Sequence, residues 1–131
     1  MKLIKSEKGI NLVDDSYNSN PEGVLAALDY LKVFSGKKII VLQPLIELGR
    51  ATFGAHRRVL KRAARVCDLI FLTNRNYRCQ IMAGAEDWSQ KKIKVAKSPH
   101  RVMKDYFSDL KKGDVILFEG REAQHYLKLM K

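Results

Sequence analysis

Short apolar runs alternate with amphipathic segments along the whole chain. The run Lys38–Leu42 is nearly continuous in apolar residues, which is typical of a central strand covered on both faces. The other runs alternate apolar and polar residues or end at turn-forming residues, and this pattern also indicates strands. The predicted strands are Lys2–Lys5, Ile10–Asp14, Lys38–Leu42, Asp68–Thr73, Lys92–Val95 and Val115–Phe118.

Between these strands, apolar residues recur at helical spacing. Asn20-Pro21 and Ser98-Pro99 each place a capping residue directly before a proline, a pair that often begins a helix. The predicted helices run from Pro21 to about Val33, from Thr52 to about Val66, near Tyr77 to Ala83, from Pro99 to about Leu110, and from Arg121 to Met130. Strands that alternate with helices predict a single α/β domain over residues 1–131, with a mostly parallel sheet and helices on both faces.

The charge balance favours anionic partners. The chain carries 25 basic and 14 acidic residues, a net charge of +11, which suits nucleotide phosphates, nucleic acid or an acidic neighbouring domain. On the second predicted helix, four basic residues fall opposite the apolar face. They are Arg58, Lys61, Arg62 and Arg65. This face is either a solvated surface or a phosphate or nucleic-acid footprint, and the spacing alone leaves both open.

Several kinds of site and location are disfavoured by the sequence. No apolar run approaches the roughly 20 residues that span a bilayer, and the N-terminus lacks a secretory signal, so we expect a cytoplasmic protein with no membrane partner. Cys67 and Cys79 suggest neither a disulfide framework nor a metal site, and no histidine pair has metal-binding spacing. No serine or cysteine lies in a nucleophile-elbow context.

The most polar candidate site follows the second predicted strand. Ligands of open α/β sheets bind beyond the carboxyl ends of strands, where four loops should lie: Asp14–Asn20, Gln43–Arg50, Thr73–Arg78 and Glu119–Arg121. In the first loop, carboxylates can accept hydrogen bonds from ribose hydroxyls and amides can donate to phosphate oxygens. The simpler alternative makes Asp15 and Asn18 turn formers and Asn20 only a helix cap.

The same loop carries a family resemblance. Residues 14–21 read Asp-Asp-Ser-Tyr-Asn-Ser-Asn-Pro and resemble the signature Asp-Asp-x-Tyr-Asn-x-Asn-Pro that opens the C-terminal domain of Mur ligases. The resemblance is greatest to members that join D-alanyl-D-alanine to a UDP-N-acetylmuramoyl (UDP-MurNAc) tripeptide. It continues more loosely through Ala26–Leu28, Lys38–Leu42, Glu47–Gly49, His56-Arg57 and Gly113–Val115.

The resemblance implies a fold and a set of site residues. Such domains are Rossmann-like three-layer folds with one antiparallel N-terminal strand. The nucleotide side of the cleft would be formed by Asp15, Tyr17 and Asn18. The substrate side would be formed by Asn20, Glu47, His56 and Arg121. By its position alone, His56 is better explained as a helix-capping or surface histidine than as a catalytic one.

The resemblance also implies a division of labour. Mur ligases bind ATP and Mg²⁺ mainly on a central domain with a Gly-x-x-x-x-Gly-Lys-Ser/Thr loop, which this sequence lacks, and the UDP-sugar on an N-terminal domain. We therefore expect no catalytic residue and no activity in the isolated chain. Its partners would be UDP-MurNAc-peptide, D-alanyl-D-alanine or a related amine, and the remaining ligase domains. The alternative is a diverged, non-catalytic module that binds nucleotide or, less favoured, nucleic acid through its basic surface.

Two departures from the family pattern fall in the predicted loops. Gln43-Pro44 stands where close relatives usually have Gly-Asp-Met, and Glu119-Gly120-Arg121 stands where they usually have Lys-Gly-Ser-Arg. An acid in place of a lysine lowers the expected affinity of that loop for an anionic substrate. A different substrate is therefore possible at this position.

Overall fold

The chain forms a six-stranded sheet between two layers of helix. The computed structural model describes residues 1–18, 20–44, 52–76, 82, 90–96 and 98–131. Its strands are β1 (Lys2–Lys5), β2 (Asn11–Asp15), β3 (Lys38–Leu42), β4 (Leu69–Leu72), β5 (Ile93–Val95) and β6 (Val115–Glu119). Its helices are α1 (Pro21–Leu31), α2 (Thr52–Val66), α3 (Pro99–Val102) and α4 (Gln124–Met130). A π-helical turn, Met103–Phe107, continues α3, and a 3-10 turn, Arg121–Ala123, precedes α4.

The strand order places β6 in the middle of the sheet. The order is β1-β2-β6-β3-β4-β5, with β1 antiparallel to β2 and every other pair parallel. The expected mostly parallel sheet and its antiparallel N-terminal strand are therefore confirmed. The last strand is inserted between β2 and β3, so the carboxyl ends of three strands that are distant in sequence meet at one edge.

Each face of the sheet is covered by its own hydrophobic cluster. Side chains from α1 and α2, including Leu28 and Val59, pack on one face with Ile40 and Leu117. The other face is covered by the π-helical turn and α4, where Phe107 packs edge-on against Phe71 at 5.7 Å between ring centroids. Burial on both faces explains the continuous apolar runs of the central strands.

Element boundaries differ from the sequence prediction at a few functional positions. Strand β2 extends to Asp15 and β6 extends to Glu119, so two acids expected in loops are the last residues of paired strands. Helix α1 ends at Leu31 rather than near Val33, which is 70% exposed. The predicted helix near residues 77–83 lies almost entirely outside the described residues.

The basic face of α2 is partly neutralised by α1. Arg58 Nη2 lies 2.8 Å from Glu22 Oε1, and Arg62 Nη1 lies 2.5 Å from Asp29 Oδ1. The hydrogen bonds from these arginines lower the pKa of both carboxyl groups. Two of the four basic residues are thus used in helix pairing, which favours the solvated-surface interpretation over a nucleic-acid footprint.

Candidate functional site

A cleft of about 300 Å³ opens at the carboxyl ends of β2, β6 and β3. Three of the four predicted loops contribute to it, and the switch in strand order brings them together, as expected for an open α/β sheet. The lining residues are Ser16, Tyr17, Asn18, Val24, Leu42, Gln43, Pro44, Glu119, Gly120 and Arg121. The fourth loop contributes Thr73 and Asn74, whose side chains instead donate hydrogen bonds to Glu122.

Asp15, Glu119 and Leu42 form a row across the sheet at the edge of the cleft. Asp15 is in register with Glu119, and Glu119 is in register with Leu42. Residues in register on parallel strands point to the same face, here the face covered by α1 and α2. Glu119 was expected in a loop, as a departure from the family pattern, whereas the strand pairing places it beside Asp15.

Glu119 is the most unusual ionisable group of the cleft. The residue is 1% exposed, and neither carboxyl oxygen has a hydrogen-bond partner in the described part of the chain. Burial, followed by interaction with the Asp15 carboxylate, raises the pKa of Glu119 to about 11. Because no hydrogen bond joins the Glu119 and Asp15 carboxyl groups, their interaction is electrostatic repulsion between neighbours. Glu119 therefore keeps its proton at neutral pH.

The polar turn after β2 is ordered by its own side chains. Asn18 Nδ2 donates to Asp15 Oδ2 at 3.1 Å, and Asn18 Oδ1 accepts from the Asn20 backbone at 3.1 Å. Ser16 donates to Asp14 Oδ1 at 2.6 Å. A Cβ atom on Gly23 would overlap the Asn18 side chain, so the glycine leaves room for the turn to pack against α1. Asp15 and Asn18 thus act as turn formers while remaining at or beside the cleft.

The remaining predicted site residues lie in different environments. Tyr17, which is 85% exposed, and the exposed Arg121 line the cleft, and their side chains have no hydrogen-bond or ion-pair partner in the described part of the chain. Asn20 is not a lining residue; its side chain accepts the Gly23 backbone N–H at 2.7 Å and caps α1. His56 is 1% exposed inside α2, so the expectation of a surface histidine is wrong. Glu47 lies outside the described residues.

Replacing Asn20 with alanine should lower the free energy of unfolding by about 1 kcal/mol, because the cap of α1 is lost. The exposed Asn76 makes no side-chain hydrogen bond in the described part of the chain and provides the matched control, Asn76→Ala. Urea denaturation, monitored by circular dichroism, measures the stability of both variants against wild type. Equal stability of Asn20→Ala and wild type would contradict the capping role.

Gln43 joins the ends of β3 and β6. Its backbone N–H donates to the Glu119 carbonyl at 2.9 Å, and its Oε1 atom accepts from the Glu122 backbone N–H at 2.9 Å. Gly120 has φ = 89°, and a Cβ atom there would lie 2.5 Å from Gln43 Cβ. The two departures from the family pattern are therefore in contact, although they lie far apart in the sequence.

We expect Gly120→Ala to lower the free energy of unfolding by about 2 kcal/mol, because alanine disfavours this backbone conformation and would collide with Gln43. Gly54 has no atom within 4 Å of a built Cβ and lies in a helix, so Gly54→Ala is the control and should be neutral or stabilising. Chemical denaturation of the two variants distinguishes these outcomes. A loss below about 0.5 kcal/mol for Gly120→Ala would refute the close contact.

The described residues contain neither a metal-binding group nor a reactive thiol. No group of three His, Cys, Asp or Glu side chains in that part of the chain is arranged to hold a metal ion. Cys67 is buried, as expected, and burial raises the pKa of its thiol to about 12, so the thiol remains protonated. None of the described helices is long and apolar enough to cross a bilayer.

Comparison with known proteins identifies relatives by sequence and by structure. The family model described as Mur ligase, glutamate ligase domain, matches residues 1–121. The UDP-N-acetylmuramoyl-tripeptide–D-alanyl-D-alanine ligase of Bacillus subtilis (strain 168) is 35% identical over 51 residues, or 37% of this chain. MurF ligase from Thermotoga maritima, solved in complex with ADP, superposes on 98% of this chain with a TM-score of 0.77 and 28% identity. The resemblance seen in the sequence is confirmed.

The chain spans only part of these relatives. It covers 11% of the Bacillus protein and 29% of the Thermotoga protein. A ligase domain from Haemophilus ducreyi, crystallised as a domain, is covered over 98% of its length with a TM-score of 0.65 and 16% identity, a likeness of fold alone. This chain therefore matches one segment of the longer relatives.

Proposed function

The chain belongs to the Mur ligase family, and from this premise we propose that it is the C-terminal domain of an ATP-dependent amide ligase that acts in cytoplasmic peptidoglycan precursor synthesis. The complete enzyme would add D-alanyl-D-alanine, or a similar amine, to a UDP-MurNAc-peptide through an acyl phosphate. The central ATPase domain and the N-terminal UDP-sugar domain would be supplied by the remainder of the protein. The isolated domain would not be catalytic.

One observation supports this function most directly. The signature residues Tyr17 and Asn18 line the same cleft as Arg121, although they are about a hundred residues apart in the sequence, and Asp15 adjoins it. A cleft at the carboxyl edge of an α/β sheet is where such a domain would face a nucleotide. The exposed Arg121 guanidinium can bind an anionic group. The Asp15 carboxylate can accept hydrogen bonds from hydroxyls, and the Asn18 amide can donate to phosphate oxygens.

The proposed role of the domain is closure over the reacting groups. An acyl phosphate is readily lost to water, so a domain that covers it protects the intermediate and brings the attacking amine to it. ATP would be held largely by the central domain. Mg²⁺ would be bound mainly there as well.

The test compares variants in the product of the complete open reading frame. Asp15→Ala and Arg121→Ala should each lower kcat/KM for amide formation at least about tenfold, because each removes a polar contact to a bound substrate. The matched controls are Asp109→Ala and Arg101→Ala, which change exposed residues away from the cleft and should have little effect. Unchanged kinetics in both cleft variants would refute the assignment of this cleft.

The second candidate is a diverged module that binds nucleotide without catalysis. The departures at Gln43-Pro44 and Glu119 favour it, because both change the surface of the cleft. This function would be supported over the amide ligase function if the isolated chain bound ADP and the protein encoded by the complete reading frame formed no amide.

A further inference from the structure

Glu122 follows Arg121, the exposed cation of the cleft, but does not pair with it. In the described part of the chain the Arg121 side chain has no ion-pair partner, and the Glu122 carboxylate accepts hydrogen bonds from two neutral side chains. Thr73 Oγ1 donates to Glu122 Oε1 at 2.9 Å, and Asn74 Nδ2 donates to the same oxygen. Hydrogen bonds to a charged acceptor are stronger than those between neutral groups, so Glu122 joins the turn after β6 to the loop after β4.

The backbone around Arg121 is held on both sides. The Glu122 backbone N–H donates to Gln43 Oε1 at 2.9 Å, and the Ala123 backbone N–H donates to the Gly120 carbonyl at 3.1 Å. Ala123 is fully buried, and Gly120 lies against Gln43. Of the three residues in this 3-10 turn, Arg121 alone is exposed and lines the cleft. The turn thus presents one mobile cation on a backbone that its neighbours hold in place.

We propose that Glu122 is a positioning residue of the cleft: by joining the 3-10 turn to the loop after β4, it fixes the direction in which the Arg121 side chain leaves the backbone. A fixed backbone reduces the conformational freedom that is lost when a long side chain binds an anionic group. Glu122 itself contacts no substrate. This inference rests on the proposed function and deepens it, because Thr73 and Asn74 then support anion binding although neither lines the cleft.

Backbone dynamics of the isolated chain test the positioning directly. In wild type, ¹⁵N relaxation should give order parameters of about 0.85 for the amides of residues 121–123, the value of rigid backbone. Glu122→Ala should lower them to about 0.7 or less, because the turn loses its contact with the loop after β4. Glu122→Gln keeps an acceptor oxygen and should stay close to wild type. Glu7→Ala removes an exposed acid elsewhere and is the control.

A double-variant cycle in the product of the complete open reading frame separates positioning from a general loss of stability. Glu122→Ala should lower kcat/KM for amide formation at least about fivefold, mainly through a raised KM. Added to Arg121→Ala, the same substitution should change kcat/KM by less than about twofold, since no guanidinium is left to position. Glu122→Gln should keep at least about half of the wild-type kcat/KM. Thr73→Val removes one donor without changing the turn and should give about a twofold loss.

Three results would overturn the proposal. They are wild-type order parameters in Glu122→Ala, a loss from Glu122→Ala that is as large in the Arg121→Ala background as in wild type, or equal losses for Glu122→Gln and Glu122→Ala. The second result would indicate that Glu122 acts on the stability of the fold rather than through Arg121. If the complete protein forms no amide, the proposed function fails, whereas the order parameters of the isolated chain still decide whether Glu122 holds the turn.

Discussion

The free energy of unfolding of the chain should fall as the pH rises from about 5 to about 8, by as much as about 1.4 kcal/mol for each pH unit. Burial raises the pKa of Glu119 from 4.5 to about 11 in the folded protein. Between these values the folded state binds one proton more than the unfolded state. The stabilisation is complete below the unfolded pKa and is progressively lost toward the folded pKa, so the protein becomes less stable as the pH rises.

Glu119→Gln should remove this dependence, because glutamine does not ionise in either state. At about pH 8 the variant should be more stable than wild type by as much as about 4 kcal/mol, which is about 1.4 kcal/mol for each of the three pH units. Glu7→Gln is the control, since Glu7 is exposed and its replacement should leave the slope intact. Urea denaturation at a series of pH values provides the comparison. The same slope in wild type and Glu119→Gln would show that Glu119 ionises normally.

Replacing Asp114 with alanine should lower the free energy of unfolding by about 3 kcal/mol. Asp114 is 5% exposed and lies just before β6. Its Oδ1 atom accepts the Lys37 backbone N–H at 2.8 Å, and its Oδ2 atom accepts the Lys111 backbone N–H at 2.9 Å. The carboxylate thus joins the starts of β3 and β6, and alanine would leave both donors without these partners.

Two further variants isolate the effect of Asp114. Asp114→Asn keeps an acceptor oxygen and should lose about half as much stability as Asp114→Ala. The nearby Asp109 is exposed and its side chain makes no hydrogen bond in the described part of the chain, so Asp109→Ala should change stability by less than about 0.5 kcal/mol. Thermal and urea denaturation measure the free energy of unfolding of Asp114→Ala, Asp114→Asn and Asp109→Ala. A loss below about 1 kcal/mol for Asp114→Ala would contradict the proposed joining role.

Features with a local cause were predictable from the sequence. The apolar runs indicated the strands because both faces of the sheet are buried. Asn20 and Ser98 were identified as caps because each precedes a proline, and both side chains accept a backbone N–H from the first turn of their helix. The prediction that β1 is antiparallel, which the family resemblance implied, is confirmed by its pairing with β2.

Features that depend on contacts between distant segments were not predictable in this way. Nothing in the sequence around Val115 indicates that β6 lies between β2 and β3, and only this arrangement places Glu119 beside Asp15. The same holds for the ion pairs of Arg58 and Arg62, whose partners lie on another helix. The sequence therefore indicated the polar turn after β2 as a candidate site. The raised pKa of Glu119 beside Asp15 depends on the strand order, which the sequence did not indicate.

The central claim is that these residues are the closing domain of a longer amide ligase, and it is tested most directly by measuring ATP-dependent amide formation from UDP-MurNAc-tripeptide and D-alanyl-D-alanine or a related amine. Three proteins are compared: the product of the complete open reading frame, the same product without these 131 residues, and the isolated chain. We predict activity in the first alone. Amide formation by the product that lacks these residues, or by the isolated chain, would contradict this account.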